Sequence, residues 1–426
     1  MRKIKCDVVV VGAGPGGSMA AKTCAKYGLD TVLVERKEYP SKPNSMGCLV
    51  SRRIAEYVHI DKKTTSAPIY GIVQTAPDGT EISMREPDGY EVAYVLNRDT
   101  FDNELLKITL KENIEYMNRT RATGLIREDG KIRGIEAKID EKEDVEIRSN
   151  IVIGADGVEH KIGRWAGIYE RLDPNDAWVV FDNLLDYSDI DEHTYYQIIG
   201  WRSDGKVMAY PNAAWVLYPK GEGKTALQPM PYHSLGWQKG EAKNALNYFM
   251  KNHPLFKKSK IIDVGGGVLP AVPLKRFTTD NVMLIGDAAH LNMMPWADGV
   301  MTAIESGVFA GERAVEACEE GDFSSEFLSE YEKRWNRTYG EKKMIGYYIA
   351  KLAQALPDKY WNIFCHRLKE DNAKFTDELF KVIKSPKLIS KILFKLKKEG
   401  LEIPDLLSFG SLFKKYYRNY WDTFFE

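Results

Sequence analysis

The chain has 426 residues, with 60 basic and 61 acidic side chains and a hydrophobic fraction of 44%. This length exceeds that of an ordinary single domain and provides material for two or three lobes with a sizeable core. The near-neutral charge argues against a general nucleic-acid binder, which needs a basic surface to displace counterions from phosphates. The five cysteines are odd in number and lack C-x-x-C spacing, so we predict no metal site and an intracellular, reduced chain.

The N-terminus lacks an apolar signal core and runs directly into a predicted strand. No stretch of the chain approaches the ~18–20 apolar residues that span a bilayer. We therefore expect the protein to be cytoplasmic, or to lie on the inner face of the membrane.

The first 35 residues have the order of a dinucleotide-binding unit. A β-branched run, Ile4–Val11, predicts a buried strand, and the glycine-rich loop GAGPGG follows at residues 12–17. An alanine-rich helix is predicted over Ser18–Tyr27, and a second strand, Thr31–Val34, ends at Glu35. A lone glycine loop is weak evidence, but here strand, loop, helix, strand and acid all occur at the required offsets.

The requirements of dinucleotide binding explain these residue types. Gly12 permits the tight turn, Gly14 lets the backbone approach the pyrophosphate, and Gly17 lets the helix pack close to the strand. The helix N-terminus offers free N–H groups to the phosphates. Glu35 is placed to accept hydrogen bonds from the adenosine ribose, which disfavours a 2′-phosphate, although the adjacent Arg36 weakens that point.

Three elements further along the chain carry candidate cofactor ligands. Two segments, residues 150–157 and 281–289, each contain an apolar run that ends on an acid, Asp156 in the first and Asp287 in the second. At these positions a carboxylate is placed to meet ribose or ribitol hydroxyls. Between the glycine loop and these runs, residues 94–102 (YVLNRDTFD) predict the entry to a helix. Each element also has a purely structural interpretation. The two segments with Asp156 and Asp287 are then ordinary strand ends, and residues 94–102 are the start of a capped helix with Arg98 on a solvated face.

Taken in this order, the elements resemble the FAD-dependent hydroxylase and reductase superfamily. The resemblance implies an α/β fold: a Rossmann-type FAD-binding domain with an inserted antiparallel-sheet substrate domain and a helical C-terminal region. The segment GADGVEHKIGRWAG at 154–167 is similar to the archaeal geranylgeranyl reductases, the digeranylgeranylglycerophospholipid reductases, and residues 95–102 and 380–396 are similar to the same family.

Site residues follow from the chemistry above together with this resemblance, and the cofactor they imply is FAD. The predicted FAD-binding residues are Gly12, Gly14, Gly16, Gly17, Glu35, Arg36, Met46, Gly47, Leu49, Arg98, Ala122, Asp156, Asp287, Gly299 and Val300. The predicted substrate-lining residues are Trp215, Tyr218 and Pro219. No proton donor is identified, because the matching His290 is mostly structural in the hydroxylases.

The sequence departs from the family pattern around the flavin. The family commonly has R-x-C-G-x-G where this chain has SMGCL at 45–49, and P-x-x-G-G-G where it has PWADGVM at 295–301. The aromatic motif of the lipid channel is altered to AAWVLYP at 213–219. Asp298 either brings a carboxylate near the flavin ring or caps a helix that starts at Val300, and we favour the cap.

The predicted organisation has four parts. Residues 1–170 form the first part of the FAD domain, with excursions toward the substrate domain, and residues 171–270 form a sheet-rich substrate domain. Residues 271–340 return to the FAD domain, and residues 341–426 form a helical, basic and aromatic region. Its lysine-rich stretch at 381–398 is interpreted as an amphipathic helix with a solvated face or as a rim that meets anionic membrane headgroups.

The resemblance implies a reductase that saturates C=C bonds of geranylgeranyl chains in archaeal membrane lipids. Its partners are then an isoprenoid lipid and an electron donor, which is reduced pyridine nucleotide, deazaflavin or ferredoxin. Three alternatives stay open: an aromatic monooxygenase, a quinone-linked dehydrogenase, and a flavin-bearing lipid-binding protein without turnover.

Overall fold

A computed structural model describes residues 2–40, 42, 47–85, 91–170, 172, 176–199, 214–230, 241–293, 298–340, 342–344, 346–347, 362, 365–366 and 369. The strands are β1 (Arg2–Lys5), β2 (Val8–Val11), β3 (Thr31–Val34), β4 (Leu49–Ser51), β5 (Thr65–Ile69), β6 (Gly71–Thr75), β7 (Glu81–Arg85), β8 (Ala93–Leu96), β9 (Ile114–Met117), β10 (Thr120–Glu128), β11 (Lys131–Ile139), β12 (Glu143–Arg148), β13 (Ile151–Gly154), β14 (Ala177–Leu185), β15 (Thr194–Ile199), β16 (Ala214–Pro219), β17 (Thr225–Met230), β18 (Ile261–Pro270), β19 (Thr278–Thr279) and β20 (Val282–Leu284). The α-helices are α1 (Pro15–Lys26), α2 (Arg98–Thr109), α3 (Lys161–Ala166), α4 (Glu241–Asn252), α5 (Val300–Glu320) and α6 (Ser325–Trp335).

The chain divides into two compact units, each built from separate stretches of sequence. The first unit comprises Met1–Lys42, Arg98–Ala177 and Val268–Lys343. The second unit comprises Pro43–Asn97, Trp178–Gly267 and Met344–Glu426. The predicted lysine-rich helix at 381–398 lies outside the described residues.

The first unit is organised around a sheet with the strand order β19-β20-β13-β2-β3-β9. Its strands run parallel except for the short edge strand β19, which is antiparallel to β20. β2 and β13 lie in the middle and are buried along their whole length, as the β-branched runs predict. A four-stranded sheet, β1-β12-β11-β10, joins the same hydrophobic core.

The prediction of one strand over residues 4–11 is wrong, because the run is split between two sheets. β1 pairs with β12 in the four-stranded sheet, whereas β2 pairs with β3 and β13 in the parallel sheet. The break falls at Asp7, whose Oδ2 accepts a hydrogen bond from the backbone N–H of Asp30 at 2.9 Å. A carboxylate needs such a partner, so Asp7 interrupts the apolar strand.

The second unit contains a seven-stranded sheet with the order β18-β14-β17-β16-β15-β6-β7 and a three-stranded sheet, β4-β8-β5. Helix α4 packs on one face of the larger sheet through a cluster of apolar side chains that includes Trp215, Leu217 and Phe249. Because side chains alternate along a strand, the neighbouring positions point to the opposite face. Among the described residues, no helix is long and apolar enough to cross a membrane.

Candidate functional site

The glycine loop between β2 and α1 has the geometry that dinucleotide binding requires. Gly12 has φ of +105°, and a Cβ on it would lie 2.4 Å from the carbonyl oxygen of Ala155. A Cβ on Gly17 would lie 1.8 Å from the carbonyl oxygen of Gly12, and one on Gly16 would lie 2.8 Å from that of Ala303. These glycines therefore hold the loop, α1 and α5 in close contact.

Gly14 differs from its neighbours because nothing lies within 4 Å of a Cβ built on it. Helix α1 begins at Pro15, and the preceding Gly14 supplies no side-chain cap. The first-turn N–H groups of a helix have no partner within the helix, and they attract anions. The loop thus forms a cradle with room for a phosphate beside Gly14, and it fits the pyrophosphate of a dinucleotide.

Glu35 lies at the end of β3, where its side chain is 8% exposed. Its Oε2 accepts from the backbone N–H of Ala13 and its Oε1 from that of Lys37, each at 2.9 Å. Each oxygen retains a lone pair for a ribose hydroxyl. Arg36 forms an ion pair with Glu159.

Asp287 follows β20 in a turn of 3₁₀ helix over Gly286–Ala289. Its Oδ1 is buried and has no hydrogen-bond partner among the described residues, and burial raises the pKa of the carboxyl. The same oxygen lies 3.6 Å from a Cβ built on Gly299, which immediately precedes Val300, the first residue of α5. A buried acceptor without a partner is costly, and a ribitol hydroxyl would satisfy it.

Asp298 caps helix α5, as we expected from the sequence. Its Oδ1 accepts from the backbone N–H of Met301 at 3.1 Å, and its backbone oxygen accepts from the hydroxyl of Thr302 at 3.1 Å. The side chain is 6% exposed. Asp298, which replaces a glycine of the family pattern, thus binds the backbone at the start of α5.

Arg98 is the first residue of α2 and is buried, so the alternative with a solvated Arg98 is wrong. Its guanidinium donates two hydrogen bonds, at 2.9 and 3.0 Å, to the carboxylate of Asp102 one turn later. The bidentate ion pair fixes the guanidinium at the helix start. Whether Arg98 contacts the flavin nucleotide stays a prediction.

Two further predicted residues of the first unit lie in regular elements. Asp156 follows β13 and caps α3, because its Oδ2 accepts from the N–H groups of Lys161 at 2.6 Å and Ile162 at 3.0 Å. Its Oδ1 is buried and has no partner among the described residues. Ala122 is a buried residue of β10 that pairs with Ala137 of β11.

Predicted residues of the second unit gather beside the seven-stranded sheet. Met46 lies outside the described residues, and Leu49 begins β4, which pairs with β8. A Cβ on Gly47 would lie 2.1 Å from the ring of Tyr218, so only glycine permits this contact. Tyr218 is buried, and its hydroxyl donates to Oε1 of Gln228 at 2.7 Å.

The predicted substrate residues Trp215 and Tyr218 lie on opposite faces of the sheet. Trp215 is fully buried in the cluster beneath α4, and its ring stacks on Phe249 with centroids 4.1 Å apart. Tyr218 and the next residue, Pro219, close the same strand, and the Tyr218 ring lies 5.4 Å from that of Tyr195. We keep Tyr218 and Pro219 as substrate-lining candidates, whereas Trp215 occupies the core.

His290 takes the left-handed conformation, with φ of +58°, at the end of the turn that holds Asp287. Its Nδ1 lies 3.2 Å from the carbonyl oxygen of Val272, and its ring lies 5.7 Å from that of His160. Burial lowers the pKa of His290 to about 4. The imidazole is therefore neutral at physiological pH and is a poor proton donor there.

Two buried ionisable residues, Lys343 and Asp182, are not among the site residues predicted from the sequence. Lys343 is fully buried, its Nζ donates to the backbone and side-chain oxygens of Asn292, and burial lowers its pKa to about 7. Asp182 of β14 is also fully buried, and burial raises its pKa to about 7. The available signal for Asp182 was an acid, followed by Asn183, inside the mostly apolar run WVVFDNLL at 178–185.

Comparison with known proteins agrees with this geometry. Residues 5–226 match the family model for an FAD binding domain. The digeranylgeranylglycerophospholipid reductase of Methanosarcina acetivorans is 36% identical over 404 residues, which cover 91% of this chain and 96% of the relative. The corresponding enzyme of Thermoplasma acidophilum is 34% identical over 357 residues, which cover 81% of this chain and 86% of the relative.

Solved structures extend the comparison. A geranylgeranyl bacteriochlorophyll reductase-like protein from Thermoplasma acidophilum superposes with a TM-score of 0.81 at 28% identity, covering 93% of this chain and all of that one. A flavin-dependent brominase has the same fold, with a TM-score of 0.70 at 17% identity, covering 97% of this chain and all of that one. The protein is thus an FAD-binding oxidoreductase, and the chain belongs to the digeranylgeranylglycerophospholipid reductase family.

Proposed function

We propose that the protein saturates C=C bonds in the geranylgeranyl chains of archaeal membrane lipids. The observation that carries this proposal is the similarity to digeranylgeranylglycerophospholipid reductases over nine-tenths of the chain. The described residues agree with it, since the first unit offers a dinucleotide cradle and the second unit buries the aromatic ring of Tyr218 beside Gly47.

Residues of the first unit would hold FAD. The cradle at Gly14 and the start of α1 would bind the pyrophosphate, and Glu35 would bind the adenosine ribose. The unpartnered Oδ1 of Asp287 would accept from the ribitol, beside the N-terminus of α5 at Gly299. The N-terminus of α5 is the positive end of the helix dipole, and it favours a negatively charged group beside it.

Bound FAD, once reduced, supplies the hydride that an alkene needs for saturation. The work of the chain is to place the isoprenoid and to exclude water from it. Tyr218 contributes an apolar ring whose hydroxyl is already satisfied by Gln228, so it can border a hydrocarbon chain without an unpaired donor. An unactivated alkene also needs a proton, which an acidic side chain or water would supply.

We also propose that the protein lies on the membrane that holds its substrate, and that it takes electrons from reduced pyridine nucleotide, deazaflavin or ferredoxin. Strand β18, at an edge of the seven-stranded sheet, exposes Ile262 by 52% and Val264 by 53%. The exposed Lys257, Lys258 and Lys260 precede it. Apolar side chains beside lysines favour contact with anionic headgroups.

The reaction is tested with the FAD-loaded protein, reduced under anaerobic conditions and mixed with digeranylgeranylglycerophospholipid. The expected product carries two additional hydrogen atoms for each double bond reduced, as read by mass spectrometry. No mass gain with any prenyl lipid would contradict the proposal. Oxygen-dependent hydroxylation of an aromatic compound would then identify a monooxygenase, and rapid reoxidation by a quinone alone would identify a quinone-linked dehydrogenase.

The membrane contact is tested separately by flotation with vesicles that contain an anionic lipid. Binding is expected to fall for Ile262→Asp and Val264→Asp, which place charges on the exposed strand. A matched control is Tyr27→Asp, at an exposed apolar residue of the first unit. Equal flotation of all three variants and the unaltered protein would contradict a role for β18.

A further inference from the structure

Saturation of an alkene requires a proton donor, and no residue has so far been assigned to this role. His290 is neutral at physiological pH, since burial lowers its pKa to about 4. Tyr218 is a weak acid, since burial raises its pKa well above the ordinary value, and its hydroxyl is committed to Gln228. Among the described residues of the second unit, Asp182 of β14 is a buried acid beside Tyr218.

The alternation of side chains places Asp182 on the same sheet face as Tyr218. Leu185 of β14 and Leu217 of β16 both belong to the cluster beneath α4, so Asp182 and Tyr218, at odd offsets from them, lie on the opposite face. A Cβ on Gly47 would lie 2.1 Å from the Tyr218 ring, the N–H of Gly47 lowers the pKa of Asp182, and the charge of Asp182 raises the pKa of Tyr218, so the three residues lie together. It thus lies among the residues predicted to line the flavin and the substrate.

The carboxyl of Asp182 has no side-chain hydrogen-bond partner among the described residues. It is fully buried, no side chain there donates a hydrogen bond to either oxygen, and the backbone N–H of Gly47 lies close enough to lower its pKa. A buried carboxylate that served only the fold would be paired or fully hydrogen-bonded. An acid kept in such a place with so few partners is typical of functional sites, where stability is lowered for chemistry.

The surroundings hold this carboxyl close to the point of half-protonation. Burial raises its pKa to about 7, while the N–H of Gly47 and the charge of Lys220 oppose the rise. The Lys220 ammonium donates to the carbonyl oxygen of Leu96 at 2.8 Å. The other titratable groups nearby, Tyr195 and Cys48, adjoin Tyr218. A general acid is most effective with a pKa near the working pH.

We propose that Asp182 is the proton donor in alkene reduction, an inference that rests on the proposed function. The O–H bond of the Asp182 carboxyl breaks as a C–H bond forms at one alkene carbon. A hydride from reduced FAD forms the second C–H bond at the other carbon, so the two electrons leave the flavin and the π bond is consumed. The Asp182 carboxylate then regains a proton from water before the next turnover.

The test uses the FAD-loaded, full-length protein and the variants Asp182→Asn and Asp182→Glu. In single turnover with reduced protein and digeranylgeranylglycerophospholipid, the Asn variant is expected to lose a factor of about 100 or more, the usual contribution of a positioned acid. Flavin content and reoxidation by ferricyanide stay unchanged. Asp189→Asn removes an exposed acid that follows the same strand and serves as the matched control.

The pH profile separates a proton donor from a structural residue. The single-turnover rate of the unaltered protein is expected to fall above about pH 7, where the carboxyl loses its proton, and the residual rate of the Asn variant lacks this limb. The Asp182→Glu variant is expected to retain activity, and its single-turnover rate is expected to fall at a different pH. Full activity of the Asn variant, or an unchanged limb in it, would overturn the assignment. Failure of the unaltered protein to reduce any prenyl lipid would instead remove the proposed function.

Discussion

Replacement of Asp182 by Asn is expected to stabilise the protein above neutral pH. The pKa of this carboxyl is about 7 in the folded chain, against an ordinary value of 3.8 that applies after unfolding. Between these values the folded state holds one more proton than the unfolded state, so stability falls as pH rises through the window. The difference of about three pKa units corresponds to a loss of ~4 kcal/mol, fully present above pH 7.

The Asn variant has no proton to lose, so its advantage over the unaltered protein grows from pH 4 to pH 7 and then stays level. For a chain of 426 residues, ~4 kcal/mol corresponds to about 4–5 °C in the melting temperature. Thermal unfolding of the FAD-loaded protein across this pH range measures the effect, with Asp189→Asn as the control. A pH-independent difference between Asn variant and unaltered protein would refute the assignment of a protonated, buried carboxyl.

Three further sets of variants test the cofactor cradle and the buried charges. Gly14→Ala is expected to weaken FAD binding ~10-fold or more, or ~1.4 kcal/mol, with the fold intact, because its Cβ occupies only the open cradle. Gly17→Ala also disrupts the loop, because its Cβ would lie 1.8 Å from a carbonyl oxygen; FAD titration and circular dichroism separate the two outcomes. Arg98→Met is expected to lower the free energy of unfolding by about 3–5 kcal/mol in denaturant titrations, because the buried Asp102 carboxylate loses its partner. Lys343→Met is expected to gain stability at pH 7, and this gain shrinks toward pH 10, because the unaltered ammonium deprotonates in the folded state with a pKa of about 7.

Matched controls make these outcomes specific. Arg119→Met removes exposed ion pairs with Glu38 and Asp140 and is expected to leave the free energy of unfolding nearly unchanged, because solvent screens exposed pairs. An equally small effect of Arg98→Met would contradict the buried-pair account. Undiminished FAD affinity of Gly14→Ala would contradict the cradle, and a pH-independent effect of Lys343→Met would contradict the depressed pKa.

The local features of the cofactor site were predictable from the sequence, because short spacings determine them. The turn at Gly12–Gly14, the strand Thr31–Val34 and the position of Glu35 agree with the structure, whereas α1 begins at Pro15 and not at the predicted Ser18. The Asp298 cap was also predictable, since it depends on a backbone N–H three residues away. Each of these contacts lies within one strand–loop–helix segment or between adjacent strands.

Features that depend on distant parts of the chain were not predictable. Strand β1 pairs with β12, more than 140 residues away, and this pairing splits the apolar run at Asp7. Which of Trp215 and Tyr218 lies in the core depends on which face of the sheet α4 covers. In the sequence, Asp182 and Asn183 are two polar residues of a mostly apolar strand, and only the fold brings Gly47 and Tyr218 beside Asp182.

The central claim, that reduced FAD in this protein saturates isoprenoid double bonds, is tested most directly by stoichiometry. The FAD-loaded protein is reduced without excess reductant and mixed anaerobically with digeranylgeranylglycerophospholipid, while flavin absorbance and product mass are followed together. The account predicts one double bond lost for each flavin reoxidised. The claim would be contradicted if the flavin stays reduced in the presence of the lipid, or if it reoxidises while no hydrogen is added to the lipid.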